Sequence, residues 1–99
     1  MKFSLEDRHW KILCNLAIEP LKSRGVRIWI YGSRVTNKHH AYSDIDLLYA
    51  PSAVLPPTYI GSIEEALEES ALSFKVDLVN DANLADSYRP QINAQKIEV

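Results

Sequence analysis

The sequence predicts an α+β domain: a small mixed β-sheet with its helices packed on one face. Three observations carry that expectation. Three short runs rich in β-branched and aromatic residues, "VRIWIY" (26–31), "DIDLLYA" (44–50) and "FKVDLV" (74–79), alternate with amphipathic stretches of helical period. Within those runs Val, Ile and Leu fall at one parity and the charged residues at the other, so the sheet has one face fit for a core. The chain of 99 residues lies near the commonest domain size and supports one modest core, so the expected organisation is a single domain over 1–99.

The elements follow in order. Residues 4–18 place Leu5, His9, Ile12, Leu13 and Leu16 at spacings of three and four, which predicts an amphipathic helix capped by Ser4. Pro20 should end or bend it and Gly25 should close the segment. In the first strand Val26, Ile28 and Ile30 share one face, and Arg27, Trp29 and Tyr31 the other. Residues 32–43 form a polar connection with room for one helical turn. In the second strand Ile45 and Leu47 oppose Asp44 and Asp46. Three prolines assign 51–61 to a loop. "SIEEALEESAL" then opens with a capping box, Ser62 and Glu65, and carries a stripe of Ile63, Ala66, Leu67 and Ala71. Glu64, Glu65, Glu68 and Glu69 read as its solvated side. In the third strand Val76 and Leu78 oppose Asp77. A helix around 83–95, with Pro90 weighing against it, and a short strand at 96–99 complete the chain. The Val, Ile and Leu side chains should turn to the helices, leaving Asp44, Asp46 and Asp77 together on an open face.

Composition excludes several functions. Charged residues are 24% and apolar ones 46%, an ordinary globular balance that argues against disorder. The net charge of −2 and pI of about 5.9 lack the basic excess of a protein built to grip phosphate backbones, so direct nucleic-acid binding is not expected. No apolar run is long enough to span a membrane, and the N-terminus has no leader pattern. The lone Cys14 sits among apolar helical neighbours and reads as a buried thiol of a cytoplasmic protein.

The chemistry lies in "YGSRVTNKHHAYSDIDLL". Carboxylates at i and i+2 on a strand point the same way, repel each other and resist burial. They are tolerated when they pair with cations, and a hard divalent ion such as Mg²⁺ prefers such oxygen ligands while keeping substrate phosphates among the rest. Asp44 and Asp46, joined by Asp77 from another strand, would make a two-metal site able to orient a hydroxyl and neutralise a transferred phosphoryl group. Gly32 lets the chain turn sharply and backbone approach a phosphate, Ser33 offers a hydroxyl and Arg34 a charge. The plainer alternative is a set of solvated charges on an edge strand.

Gly32-Ser33, ten residues, Asp44-x-Asp46, then Asp77 in "KVDLV" resembles the signature of the DNA polymerase β-like nucleotidyltransferase superfamily, and "SDIDLL" after "GSR" is similar to its minimal nucleotidyltransferase branch. The resemblance covers roughly residues 26–79. It implies a polymerase β-like fold and a Mg²⁺-dependent transfer of a nucleoside monophosphate, AMP foremost, from a triphosphate such as ATP to a hydroxyl acceptor. By position it assigns Gly32, Ser33 and Arg34 to the phosphates and Asp44, Asp46 and Asp77 to two Mg²⁺ ions, with Asp77 also helping to deprotonate the attacking hydroxyl. It further implies a helical HEPN-type toxin as partner and acceptor, with this chain as antitoxin.

The pattern departs from the branch at Val35, Thr36 and Asn37, where an Arg and a small residue are usual, and at Pro51, Pro56 and Pro57. These departures keep a second reading open, a binding subunit that neutralises a helical partner by complex formation. A third, a nucleotidyltransferase acting on a small drug, would require a further domain. The small core and open site also suggest a homo-oligomer or a complex. Zinc at His39 and His40 lacks a third ligand at suitable spacing. Trp29 and Tyr31 share the aspartate face, where they would stack on a base or pack against an added strand or partner.

Overall fold

The computed structural model describes residues 3, 5–36 and 44–99. The expected cap at Ser4 and the loop histidines His39 and His40 lie outside them. The element order is α1 (Asp7–Leu13), a π-helical segment (Cys14–Ile18), α2 (Glu19–Ser23), β1 (Arg27–Tyr31), α3 (Ser33–Thr36), β2 (Ile45–Ala50), α4 (Tyr59–Glu68), β3 (Val76–Asn80), a 3₁₀ turn (Asp81–Asn83), α5 (Arg89–Gln95) and β4 (Ile97–Glu98).

α1, the π segment and α2 run without a break, so Pro20 does not end the helix. Proline normally stops a helix because it lacks an N–H and its ring strikes the carbonyl four residues back. Here the turn before it is widened, with Glu19 N–H donating to the Cys14 carbonyl five residues back. A π turn of this kind relaxes the helix ahead of the ring. Gly25 then closes the helix at φ +76. Its N–H donates to Lys22 and that of Val26 to Leu21, which is the paired-bond stop that a left-handed residue permits.

The sheet order is β3-β2-β1-β4. β1 pairs antiparallel with β2 and with β4, while β2 and β3 are parallel, joined through α4. The sheet is therefore mixed. Val26, Ile28, Ile30, Ile45, Leu47 and Tyr49 join Leu13, Ala17, Ile18, Leu21, Ile63 and Leu67 in one cluster between sheet and helices. The expected parity holds, with Val76 and Leu78 packed against the same cluster. His9 is buried as well, its ring edge-on to Phe74 at 5.6 Å. Cys14 is half-buried at the margin rather than enclosed.

Three further expectations are revised. α4 begins at Tyr59, earlier than the Ser62–Glu65 pattern suggested, and Ser62 Oγ bonds backwards to the Thr58 carbonyl, so no capping box forms. Pro56 supplies the carbonyl that receives the Tyr59 N–H and starts the turn. The C-terminal helix is confined to Arg89–Gln95 because Pro90 fits only its first turn. The sheet's second face is not open throughout: Trp29 and Leu48 are 8% and 0% exposed. They lie opposite each other across β1 and β2, and Lys96 Nζ lies 4.3 Å over the Trp29 ring. Trp29 is thus roofed by this chain's own C-terminal segment. Among the described residues no helix is long and apolar enough to cross a membrane.

Candidate active site

Strand register assembles the site. Tyr31 is the partner of Asp46 across β1 and β2, and Asp46 is the partner of Asp77 across β2 and β3. Paired residues project to the same side, so a phenol and two carboxylates stand in one row across three strands. Asp44 precedes β2 on the same parity and is exposed.

The Asp46 carboxyl is pushed up to about 6 by burial first, then by the charges of Asp77 and Asp44. The Tyr31 hydroxyl is raised by burial and by the charges of Asp46 and Asp77. Lys75 Nζ lies 3.3 Å from Asp77 Oδ1. Lys75, well exposed, is itself raised by Asp77, Asp44 and Glu68. A groove between α4 and β3, with Leu67, Leu72 and Phe74 along its walls, reaches Lys75 and Asp77.

Gly32 forms the opposite wall. It adopts φ +85, and a Cβ built there would lie 2.5 Å from Asp46 Oδ2. Only glycine admits both this backbone and this approach. Its carbonyl receives Val35 N–H at 3.0 Å and Thr36 N–H at 3.2 Å, which launches α3 at Ser33. Its N–H donates to Gln95 Oε1 at 2.6 Å. Arg34 is 4% exposed, with its guanidinium 5.2 Å over Phe74. Burial lowers its pKa.

Of the six residues singled out from sequence, Gly32 and Asp46 are in contact distance, Asp77 stands beside Asp46, and Ser33 follows on the same turn. Asp44 acts on Asp46 electrostatically from the strand's start, and Arg34 is seated on Phe74. Among the described residues no three His, Cys, Asp or Glu side chains form a ready metal cage. The donor chemistry nevertheless fits a hard divalent cation. Mg²⁺ commonly takes one or two protein carboxylates and fills its octahedron with water and phosphate oxygens, and the row supplies hard oxygens whose mutual repulsion such an ion would relieve. Sequence reasoning missed two neighbours of the site. Lys75 was legible as a cation two residues before Asp77, whereas Gln95 carries no signature at all.

The sequence matches the family described as polymerase beta nucleotidyltransferase over residues 21–99. It is 36% identical over 62 residues to the Probable protein adenylyltransferase MntA of Haemophilus influenzae, covering 63% of this chain and 54% of that protein. The chain thus spans about half the length of that relative. A crystal structure of a toxin–antitoxin with AMP-PNP superposes with a TM-score of 0.65 at 25% identity, covering 85% of this chain and 69% of the other. A mutant of the toxin–antitoxin MntA-HpeT gives a TM-score of 0.64 at 23% identity and the same coverage. The α+β sheet with its Gly-Ser turn and paired aspartates is thus matched in sequence over most of its length, and the chain belongs to the polymerase beta nucleotidyltransferase family.

Proposed function

We propose that the chain transfers AMP from ATP to a hydroxyl of a protein acceptor, a helical HEPN-type toxin, and acts as the antitoxin of that pair. The observation that carries this reading is the abreast pair Asp46 and Asp77 with Gly32 pressed against Asp46. The AMP-PNP in the similar toxin–antitoxin crystal structure supports an adenine nucleotide, and the relative's description as a protein adenylyltransferase supports a protein acceptor.

In this mechanism Gly32 and Ser33 receive the β and γ phosphates at the start of α3, and Arg34 adds positive potential from its seat on Phe74. Asp44, Asp46 and Asp77 would hold two Mg²⁺ ions, which when bound neutralise charge on the triphosphate. The acceptor hydroxyl oxygen bonds to the α-phosphorus as the bond to the bridging oxygen breaks and pyrophosphate leaves. Asp77 helps draw off the hydroxyl proton, and the groove that ends at Asp77 gives the acceptor its approach.

Thermal unfolding with Mg·ATP, with ATP plus EDTA, and with Mg·ATP on Asp46→Asn tests the site. Saturation at a hundred times the dissociation constant stabilises by ~2.7 kcal/mol, a rise of roughly ten degrees or more for a domain of this size. A rise that requires metal and is lost in the variant is expected, and co-incubation with the toxin should then add one AMP to it by mass. A flat response to every triphosphate, with and without the toxin, would overturn the reading. A second reading, a binding subunit that works by complex formation alone, draws on the missing second arginine after Gly-Ser, and predicts neutralisation of the toxin without any mass change.

A further inference from the structure

We propose that Gln95 is a positioning residue for the triphosphate: its side-chain carbonyl clasps the Gly32 turn against Asp46 and does so without adding charge. The inference rests on the nucleotide reading above and assigns a role to a residue outside the Gly-Ser and aspartate pattern.

The geometry begins in the sheet. β4 pairs antiparallel with β1, Ile97 opposite Ile30 and Glu98 opposite Trp29. Carried back two residues, that register sets Gln95 opposite Gly32, where the ladder has ended and α5 has not yet released the chain. Gln95 supplies from its side chain the acceptor that a further β4 residue would have supplied from its backbone. Its Oε1 lies 2.6 Å from Gly32 N across 63 residues of sequence.

The clasp is held from the other side by neighbours of Gln95. Lys96 covers Trp29 at 4.3 Å, Arg27 Nη2 pairs with Glu98 Oε1 at 2.8 Å, and Val99 N–H donates to Ile28 O at 3.0 Å. With its carbonyl engaged by Val35 and Thr36, Gly32 is fixed at both its N–H and its C=O. The two bonds hold Gly32 in its left-handed turn at φ +85, beside Asp46 where a Cβ would not fit. Ser33, one bond further, takes its position from this anchoring.

The choice of glutamine follows from charge. A glutamate would accept the same hydrogen bond, but it would add a negative charge beside Asp46, where Asp77 and Asp44 already act. That charge would oppose a polyanionic nucleotide. A neutral amide satisfies Gly32 without repelling the ligand.

The test uses the full chain with two variants, Gln95→Ala and Gln95→Glu, and two readouts. Amide hydrogen exchange of Gly32 is followed in the metal-free protein, with Leu47, in β2 between β1 and β3, as the internal control. Mg·ATP affinity is measured by calorimetry. In Gln95→Ala, exchange at Gly32 should accelerate and Mg·ATP affinity should fall, each about three- to tenfold, the range set by losing one hydrogen bond; Leu47 should be unchanged. In Gln95→Glu, Gly32 should stay protected while Mg·ATP affinity falls, a split that a purely structural role would not produce. Unchanged Gly32 exchange in Gln95→Ala, unchanged affinity despite faster exchange, or native affinity in Gln95→Glu would each overturn the proposal. If the unaltered chain binds no Mg·ATP, the nucleotide reading fails with Gln95's role in it, and the exchange arm still reports the clasp separately.

Discussion

Asp46 and Asp77 are direct partners across two parallel strands, and Asp46, half-buried, holds its proton up to about 6. The fold therefore prefers Asp46 protonated, against an ordinary value of 3.8. A raised carboxyl contributes stability below its unfolded pKa, and that contribution is lost as pH rises through the folded one. Metal-free protein should lose stability on the order of 1 kcal/mol between about pH 4 and about pH 7 from this group, a fall of roughly 4–8 °C in Tm. Asp46→Asn should remove that part of the pH dependence and raise Tm at neutral pH, as read by calorimetric scans in EDTA. A native-like pH profile in the variant would refute the assignment.

The glycines offer a paired contrast. Gly32→Ala places a methyl 2.5 Å from Asp46 Oδ2 on a left-handed backbone, and should destabilise the chain by about 2 kcal/mol or more. It should also abolish the Mg·ATP response. Gly61 lies inside α4, where an added Cβ meets nothing within 4 Å, so Gly61→Ala should stabilise by ~0.5–1 kcal/mol. Urea titration of both variants measures the two signs together.

Lys75 competes for Asp77. The contact is solvent-exposed on the lysine side and spans 3.3 Å, so Lys75→Ala should change stability by less than about 0.5 kcal/mol. The same variant leaves Asp77 without its cation and should raise affinity for Mg²⁺ or Mn²⁺ by roughly two- to fivefold at low salt. Metal titration by calorimetry decides it, and an unchanged or lower affinity would remove Asp77 from the metal-binding set.

Arg34 tests packing against charge. Its 4% exposure and its place over Phe74 mean that Arg34→Ala loses buried contact, at about 1–3 kcal/mol. Arg34→Met keeps most of the apolar stem, so a smaller loss of stability is expected, together with a weaker grip on Mg·ATP. Comparing the two variants by unfolding and by nucleotide titration separates the contributions.

The strands were legible because their alternation reports directly which side is buried, and the paired aspartates stood out because like charges two apart on a strand repel each other and resist burial. Parity alone brought Tyr31 to the carboxylates and turned Trp29 to their side of the sheet. What covered Trp29 was hidden, because Lys96 reaches it only through a two-residue strand that register, not propensity, creates. The start of α4 was hidden for a different reason: Ser62 and Glu65 carry a capping pattern inside a helix that Pro56 had already begun. Pro20 does not end its helix because a π turn ahead of it relaxes the backbone. Gln95 was invisible, since a glutamine closing a helix acquires its meaning only when β4 docks.

That docking gives the molecule a built-in optical gauge. Gln95 and Lys96 are consecutive, one bonded to Gly32 and the other lying over the indole of Trp29. Whatever loosens one strains the other, so the emission colour and intensity of Trp29 should follow the state of the Gly-Ser turn. Trp10, the second tryptophan, lies on the first helix against Phe3 and shares a cavity with Ile97 and Val99, so its emission overlaps the signal. Replacing Trp10 with Phe would leave a single fluorophore reporting in real time on whether the C-terminal strap is fastened.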